Sequence, residues 1–213
     1  MPAPLLADLV DPRHTAVVTS EVQNGVVGEP SALPALADAA RPMVGRLAVL
    51  CAAARVAGAP VIHATAARRA DAAGSNTNAR LFLGMRRSPV ALLPGSPAAA
   101  VVPELGPGPD DLVLSRLHGL NPMAGTDLDP ILRNLGVTTI VVTGVSVNVA
   151  VTNLVMDAVN LGYQVVVPRD AVCGIPAAYA DAVIDNTLAL LATLTTVDDL
   201  VTAWAIPDQE ATS

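Results

Sequence analysis

Strand-like and helix-like segments alternate along this sequence, which predicts an α/β fold of three layers, with helices on both faces of a mostly parallel sheet. Three observations carry that reading. The strand segments are near-continuous runs rich in Val and Ile, as expected where both faces of a sheet are covered. Several segments between them place apolar residues at helical spacing. Hydrophobic residues make up 52% of the 213 positions but aromatics only 2%, so the core must be aliphatic. With 15% charged residues, the composition is also far from that of disordered chains.

His14–Ser20 (HTAVVTS) reads as the first buried strand, because its β-branched run stops at the polar EVQNG. Met43–Ala57 is the first helix, with Arg46 and Arg55 on its polar face, Pro42 ahead of it and Gly58 closing it. Pro60–Thr65 (PVIHAT) is the second strand, and the β-α-β unit implies a parallel pair with a right-handed crossover. Asn78–Arg87 reads as a short helix. Pro94–Pro109 reads as a loop, since its prolines fix φ and lack donors. The third strand is Asp111–Ser115, followed by the loop RLHGLNPMAG and a helix near Asp127–Leu135 that Gly136 ends. Thr138–Thr143 is the fourth strand, Val147–Leu161 a helix closed by Gly162, and Gln164–Val167 the fifth strand. A helix at Ala177–Ala192, an edge strand at Leu194–Thr196 and a short helix at Val197–Trp204 complete the order, with a disordered tail. No repeat or linker interrupts it, so residues 1–213 are expected to form one domain with its core at about 14–204.

Net charge is −7, and an acidic surface argues against nucleic acid or an anionic membrane as partner. All twelve basic residues are Arg, so no step can use a lysine amine. Cys51 and Cys173 are too few and too far apart for a disulfide framework or a zinc site. No His/Asp/Glu cluster has metal-ligand spacing, and no glycine-rich phosphate fingerprint follows the first strand. Neither metal nor cofactor is therefore expected. The segment MPAPLLADLVDPRH lacks a basic start and an apolar core, and no apolar run approaches the ~18–20 residues of a membrane span. A cytoplasmic location is the expectation.

Ligands of such folds sit beyond the carboxyl ends of the strands, near the switch in strand order. That singles out Glu21, Gln23 and Asn24 after the first strand, and Arg116, His118 and Asn121 after the third. Gly144–Ala150 follows the fourth strand, and Asp170 and Cys173 the fifth. Glu21 is either an exposed loop acid or a general acid or base in a pocket. Arg116 is either a surface charge or a clamp for a carboxylate. His118 can carry a proton at neutral pH, whereas His63, inside a strand, reads as a core group. Thr143–Val151 resembles a G-x-S-x-G nucleophile elbow with Asn148 in place of the last glycine. All three histidines lie upstream, which is the wrong order for that hydrolase type. The turn still offers backbone N–H groups to an anion.

Gly125–Val172 carries a specific order of motifs: Gly125, Thr126 and Leu128; Leu132 and Gly136; the Thr143–Val151 turn; Asp157–Ala158; Leu161–Tyr163; and Asp170–Ala171. With AVVTSEVQNGVV at the first strand, these resemble the isochorismatase-like hydrolase superfamily over about His14–Trp204. The resemblance implies the α/β fold inferred above, a homo-oligomer (dimer or tetramer) and a small-molecule substrate. In amidases of that family it implies an Asp–Lys–Cys triad and a cis peptide, here Val145–Ser146, beside the oxyanion hole. This sequence departs at all three triad positions, which are Glu21, Arg116 and Ala150. Arg116 can supply charge but not a mobile proton. The expectation is a cysteine-independent hydrolase acting on a small polar or carboxylated molecule. Glu21 is its acid or base, with Arg116 and the turn N–H groups stabilising negative charge. His118 is the nearest further proton carrier, and Gln23, Asn24, Asn121, Val145, Ser146 and Val149 are the substrate-orienting residues. The alternative is a non-catalytic ligand-binding or interaction protein. The two are separated by whether Glu21 and Arg116 face one enclosed pocket.

Overall fold

The computed structural model describes residues 5–205, and the expected disordered tail beyond Trp204 lies almost wholly outside them. The strands are β1 (Thr15–Ser20), β2 (Val61–Ala66), β3 (Leu112–Arg116), β4 (Thr139–Val145), β5 (Gln164–Pro168), β6 (Val172–Cys173) and β7 (Thr193–Thr195). They form one parallel sheet of order β3-β2-β1-β4-β5-β7, with β6 pairing the end of β4 beyond the reach of β5. The helices are α1 (Leu6–Leu9), α2 (Asn24–Val27), α3 (Pro34–Ala57), α4 (Arg80–Arg87), α5 (Leu128–Asn134), α6 (Thr152–Asn160), α7 (Ala177–Asn186) and α8 (Val197–Ala205). No helix among the described residues is long and apolar enough to cross a membrane.

Every residue of β1 and β4 is buried, which is why both read as unbroken β-branched runs. Val17, Val61 and Val141 point to the face covered by α3 and α8. Val18, Ile62, Ile140 and Val142 point to the face covered by α5, α6 and α7. The chain leaves β1 for β2 and β3 on one side and returns to β4 on the other. The crevice between β1 and β4 is therefore the switch point, where α/β folds place ligands. There the backbones come very close: a Cβ on Gly144, at φ +97°, would lie 2.3 Å from the Ser20 carbonyl oxygen. The Ser20 hydroxyl donates to the Val145 carbonyl, and Thr143 donates to that of Val18, both at 3.1 Å.

Three helices depart from the sequence expectation. α3 begins at Pro34 rather than after Pro42, which lies inside it. Pro34 occupies the first-turn position that lacks an intrahelical partner anyway, and the alanine-rich turns that follow are strong helix formers. Pro42 is exposed, so the bond it cannot donate is lost on the solvent side. The helix expected at Val147–Leu161 opens as a π-turn over Val147–Val151, with Val151 N–H bonded five residues back to the Ser146 carbonyl. The Val147 carbonyl accepts both the Thr152 N–H and, at 2.5 Å, the Thr152 hydroxyl. The helix expected at Ala177–Ala192 ends at Asn186, because Thr187 adopts φ −119° and the chain tightens into a 3₁₀ turn at Leu188–Leu190. The two-residue β6 and the four-residue α1 and α2 were too short to show a period.

Candidate active site

Glu21 is the first residue past β1 and has φ +55°, a left-handed conformation that costs a non-glycine residue energy. Its N–H remains in the sheet, donating to Ala64 at 2.9 Å, and the backbone then turns the side chain into a cavity of about 330 Å³. Arg116 ends β3. It is the one buried residue of an otherwise poorly covered edge strand, with a side chain only 4% exposed. Its Nη2 donates to Glu21 Oε1, so the two charges expected from sequence form one ion pair, and both line the same cavity. Arg116 Nε and Nη1 are buried without a partner among the described residues.

The π-turn supplies the opposite wall through Ser146, Asn148, Val149 and Ala150. The Val145–Ser146 peptide is cis, as the resemblance implied. All three triad positions thus meet in one pocket. Ser146 and Val149 line it as expected, and His118 lies at its exposed mouth.

Four other sequence candidates do not reach the pocket. Gln23 is fully buried: its amide donates to the Ala66 and Ala99 carbonyls at 2.9 and 2.8 Å, and its Oε1 accepts from Ala66 N–H at 2.8 Å. It joins the end of β2 to the 97–102 segment, because backbone groups beyond a strand end need partners. Asn24 donates to the Pro97 carbonyl. Asn121 bonds Asp157 and accepts from Met123 N–H, bracing the loop against α6. Val145 is wholly buried in the core. Asp170 is likewise structural, pairing with Arg46 at 2.8 Å and capping Val197 N–H at 2.9 Å.

The thiols offer no nucleophile. Burial pushes Cys51 up to about 12, and it also raises Cys173 despite a bond from Gly174 N–H. Neither residue lines the cavity. His63 is buried, bonded to the Thr19 hydroxyl at 2.9 Å and to Asp111 at 3.3 Å, with Arg55 completing the network on Asp111. Burial lowers the His63 pKa more than Asp111 raises it. No group of three or more His, Cys, Asp or Glu among the described residues is placed to hold a metal ion.

The remaining wall comes from 66–92, a segment with weak sequence pattern. Leu81, Phe82 and Met85 of α4 face the cavity, with Val90 and Leu92 beyond them and Leu33 and Leu36 opposite. α4 carries no fully buried residue; Leu81 and Phe82 line the cavity, and Met85 both lines it and packs against the core. Asn76 Oδ1 accepts from Gly119 N–H at 2.9 Å and ties this wall to the loop after Arg116.

Comparison with known proteins agrees with this fold. The isochorismatase domain profile matches residues 15–199. Ureidoacrylate amidohydrolase RutB of Methylobacterium radiotolerans is 31% identical over 176 residues, 76% of this chain and 68% of that protein. The crystal structure of a cysteine hydrolase from Pseudomonas syringae pv. phaseolicola superimposes with a TM-score of 0.82 at 26% identity, covering 96% of this chain and 99% of the other. An isochorismatase family protein from Desulfovibrio vulgaris gives 0.79 at 28% identity, covering 91% and 100%.

Proposed function

The chain belongs to the isochorismatase family of hydrolases, and from that premise we propose that it hydrolyses a C–N bond of a small amide or ureide without a cysteine nucleophile. The observation that carries the reading is the Glu21–Arg116 pair facing one pocket beside Ala150. An alanine cannot attack a carbonyl, so the nucleophile is water. Glu21 accepts the water proton as oxygen bonds to the carbonyl carbon. The electron pair displaced onto the carbonyl oxygen is met by the π-turn N–H groups. Glu21 then returns the proton to the leaving nitrogen as the C–N bond breaks. Arg116, always protonated, shuttles nothing; it fixes the Glu21 carboxylate and adds positive charge.

Amide or ureide specificity is carried over from relatives named for that activity. The test is turnover by purified protein on a panel of ureides, simple amides and isochorismate, beside Glu21→Gln. Hydrolysis of a C–N bond that falls at least ~100-fold in the variant supports the reading, in line with the usual contribution of a general acid–base. Equal rates in both proteins overturn it. Ala150 also favours a second reading, a protein that binds such molecules without cutting them. Saturable binding with no turnover across the panel would select that one.

A further inference from the structure

The whole chain is acidic, yet residues 66–90 hold five arginines (68, 69, 80, 86 and 87) against one acid, Asp71. Asp71 pairs with Arg69. Arg68 and Arg86 both line the cavity, one half-buried and one exposed, and neither has a carboxylate partner among the described residues. The Arg68 guanidinium makes one long bond, 3.5 Å, to its neighbour's carbonyl. Inside the cavity the charges of Glu21 and Arg116 face each other, so the surplus positive charge lies at the mouth. Between mouth and floor the walls are apolar, formed by Leu33, Leu36, Phe82, Met85 and Leu92. Two of these five arginines, Arg68 and Arg86, line the cavity of a chain whose remaining residues carry a net negative charge. An acidic chain repels anions at long range, and a local basic rim reverses that field where a ligand enters.

We propose that the pocket takes an amphipathic carboxylate, its apolar body along Leu33, Leu36, Phe82, Met85 and Leu92 and its carboxylate held at the mouth by Arg68 and Arg86. The class follows from the two wall chemistries: a fully polar ureide would leave the apolar stretch unfilled, and a neutral amide would leave two guanidinium groups unanswered. Only the placement of the scissile bond at the inner end, beside Glu21 and Ala150, rests on the hydrolase reading.

The test is calorimetric titration of the full chain with octanoate, octanamide and acetate, on wild type, Arg68→Gln/Arg86→Gln and Arg80→Gln. Octanoate should bind wild type about tenfold more tightly than octanamide, as expected when a guanidinium fork meets a carboxylate. The double variant should lose that difference. Acetate, lacking the apolar body, should bind at least tenfold more weakly than octanoate. Arg80→Gln removes a charge from the same helix without touching the cavity, so octanoate affinity should change less than twofold. Equal affinity for octanoate and octanamide, octanoate affinity unchanged in the double variant, an equal loss in Arg80→Gln, or no octanoate binding would each overturn the proposal. Because binding is read without turnover, a failed hydrolase assay leaves this result standing, and a charge-blind pocket leaves the hydrolase reading standing.

Discussion

Glu21 and Arg116 hold each other in place, and that coupling governs how their variants behave. Glu21→Gln removes the carboxylate that, alone among the described residues, pairs with a guanidinium 4% exposed. Breaking a buried pair from one side costs about 3–5 kcal/mol, and the 21% exposure of Glu21 argues for the lower end. At ~2–4 °C per kcal/mol for a chain of this size, the melting temperature of Glu21→Gln should fall by about 6–12 °C. Glu21→Gln/Arg116→Met should recover part of that loss, because it buries no unpaired charge. A double-mutant cycle by thermal unfolding checks this, and additive losses would show that the pair is not coupled. Activity of Glu21→Gln therefore has to be read well below its own melting point.

Gly144 shows how an element can depend on one missing atom. Gly144→Ala places a methyl 2.3 Å from Ser20 O and 2.8 Å from Ser20 N, both backbone atoms that cannot rotate away, at φ +97°. We expect a loss above ~4 kcal/mol, in the range reserved for severe defects. Gly58→Ala, also at positive φ (+81°) but with nothing near its Cβ, should cost only about 1 kcal/mol. Similar melting temperatures for the two variants would refute the close-approach account. The same elements explain what could be read in advance. β1 and β4 were legible because continuous β-branched runs mark central strands, whereas the triad positions followed from the family resemblance rather than from pattern. Gln23 misled because a polar side chain past a strand end can be spent on backbone carbonyls rather than on a ligand. Residues 66–109 were expected to line the pocket, but which α4 side chains do so was not legible, because the cavity exists only once distant segments meet.

The chain as a whole should lose stability on acidification, through the network that joins α3, β2 and β3 away from the pocket. His63 is buried with its pKa below the ordinary value, so below about 6.5 the unfolded chain takes a proton that the native state resists. Burial pulls Asp111 upward, but the bonds from Arg55, Gly108 N–H and His63 outweigh it and hold the carboxyl below the usual range. Its contribution is full above about 3.9 and is lost as pH falls through the native value. Both groups act in the same direction, so the melting temperature should be level above pH 7 and decline below. His63→Gln should flatten the portion just below pH 6.5; a slope between pH 6.5 and 5 unchanged from wild type would count against this assignment.

A pocket with alanine where a thiol is expected, in a chain without lysine, presents neither a thiolate nor an amine to electrophiles. Catalysis built on Glu21 should therefore tolerate iodoacetamide and mild peroxide that would silence an enzyme relying on a pocket thiolate, with Met85 as an oxidisable sulfur lining the cavity. Ala150→Cys should bring alkylation into the pocket, read by mass spectrometry as a modified residue 150, and its absence would mean that the π-turn shields that position. Hydrolysis carried by Glu21, as proposed, would persist under thiol oxidants that inactivate a cysteine-dependent enzyme.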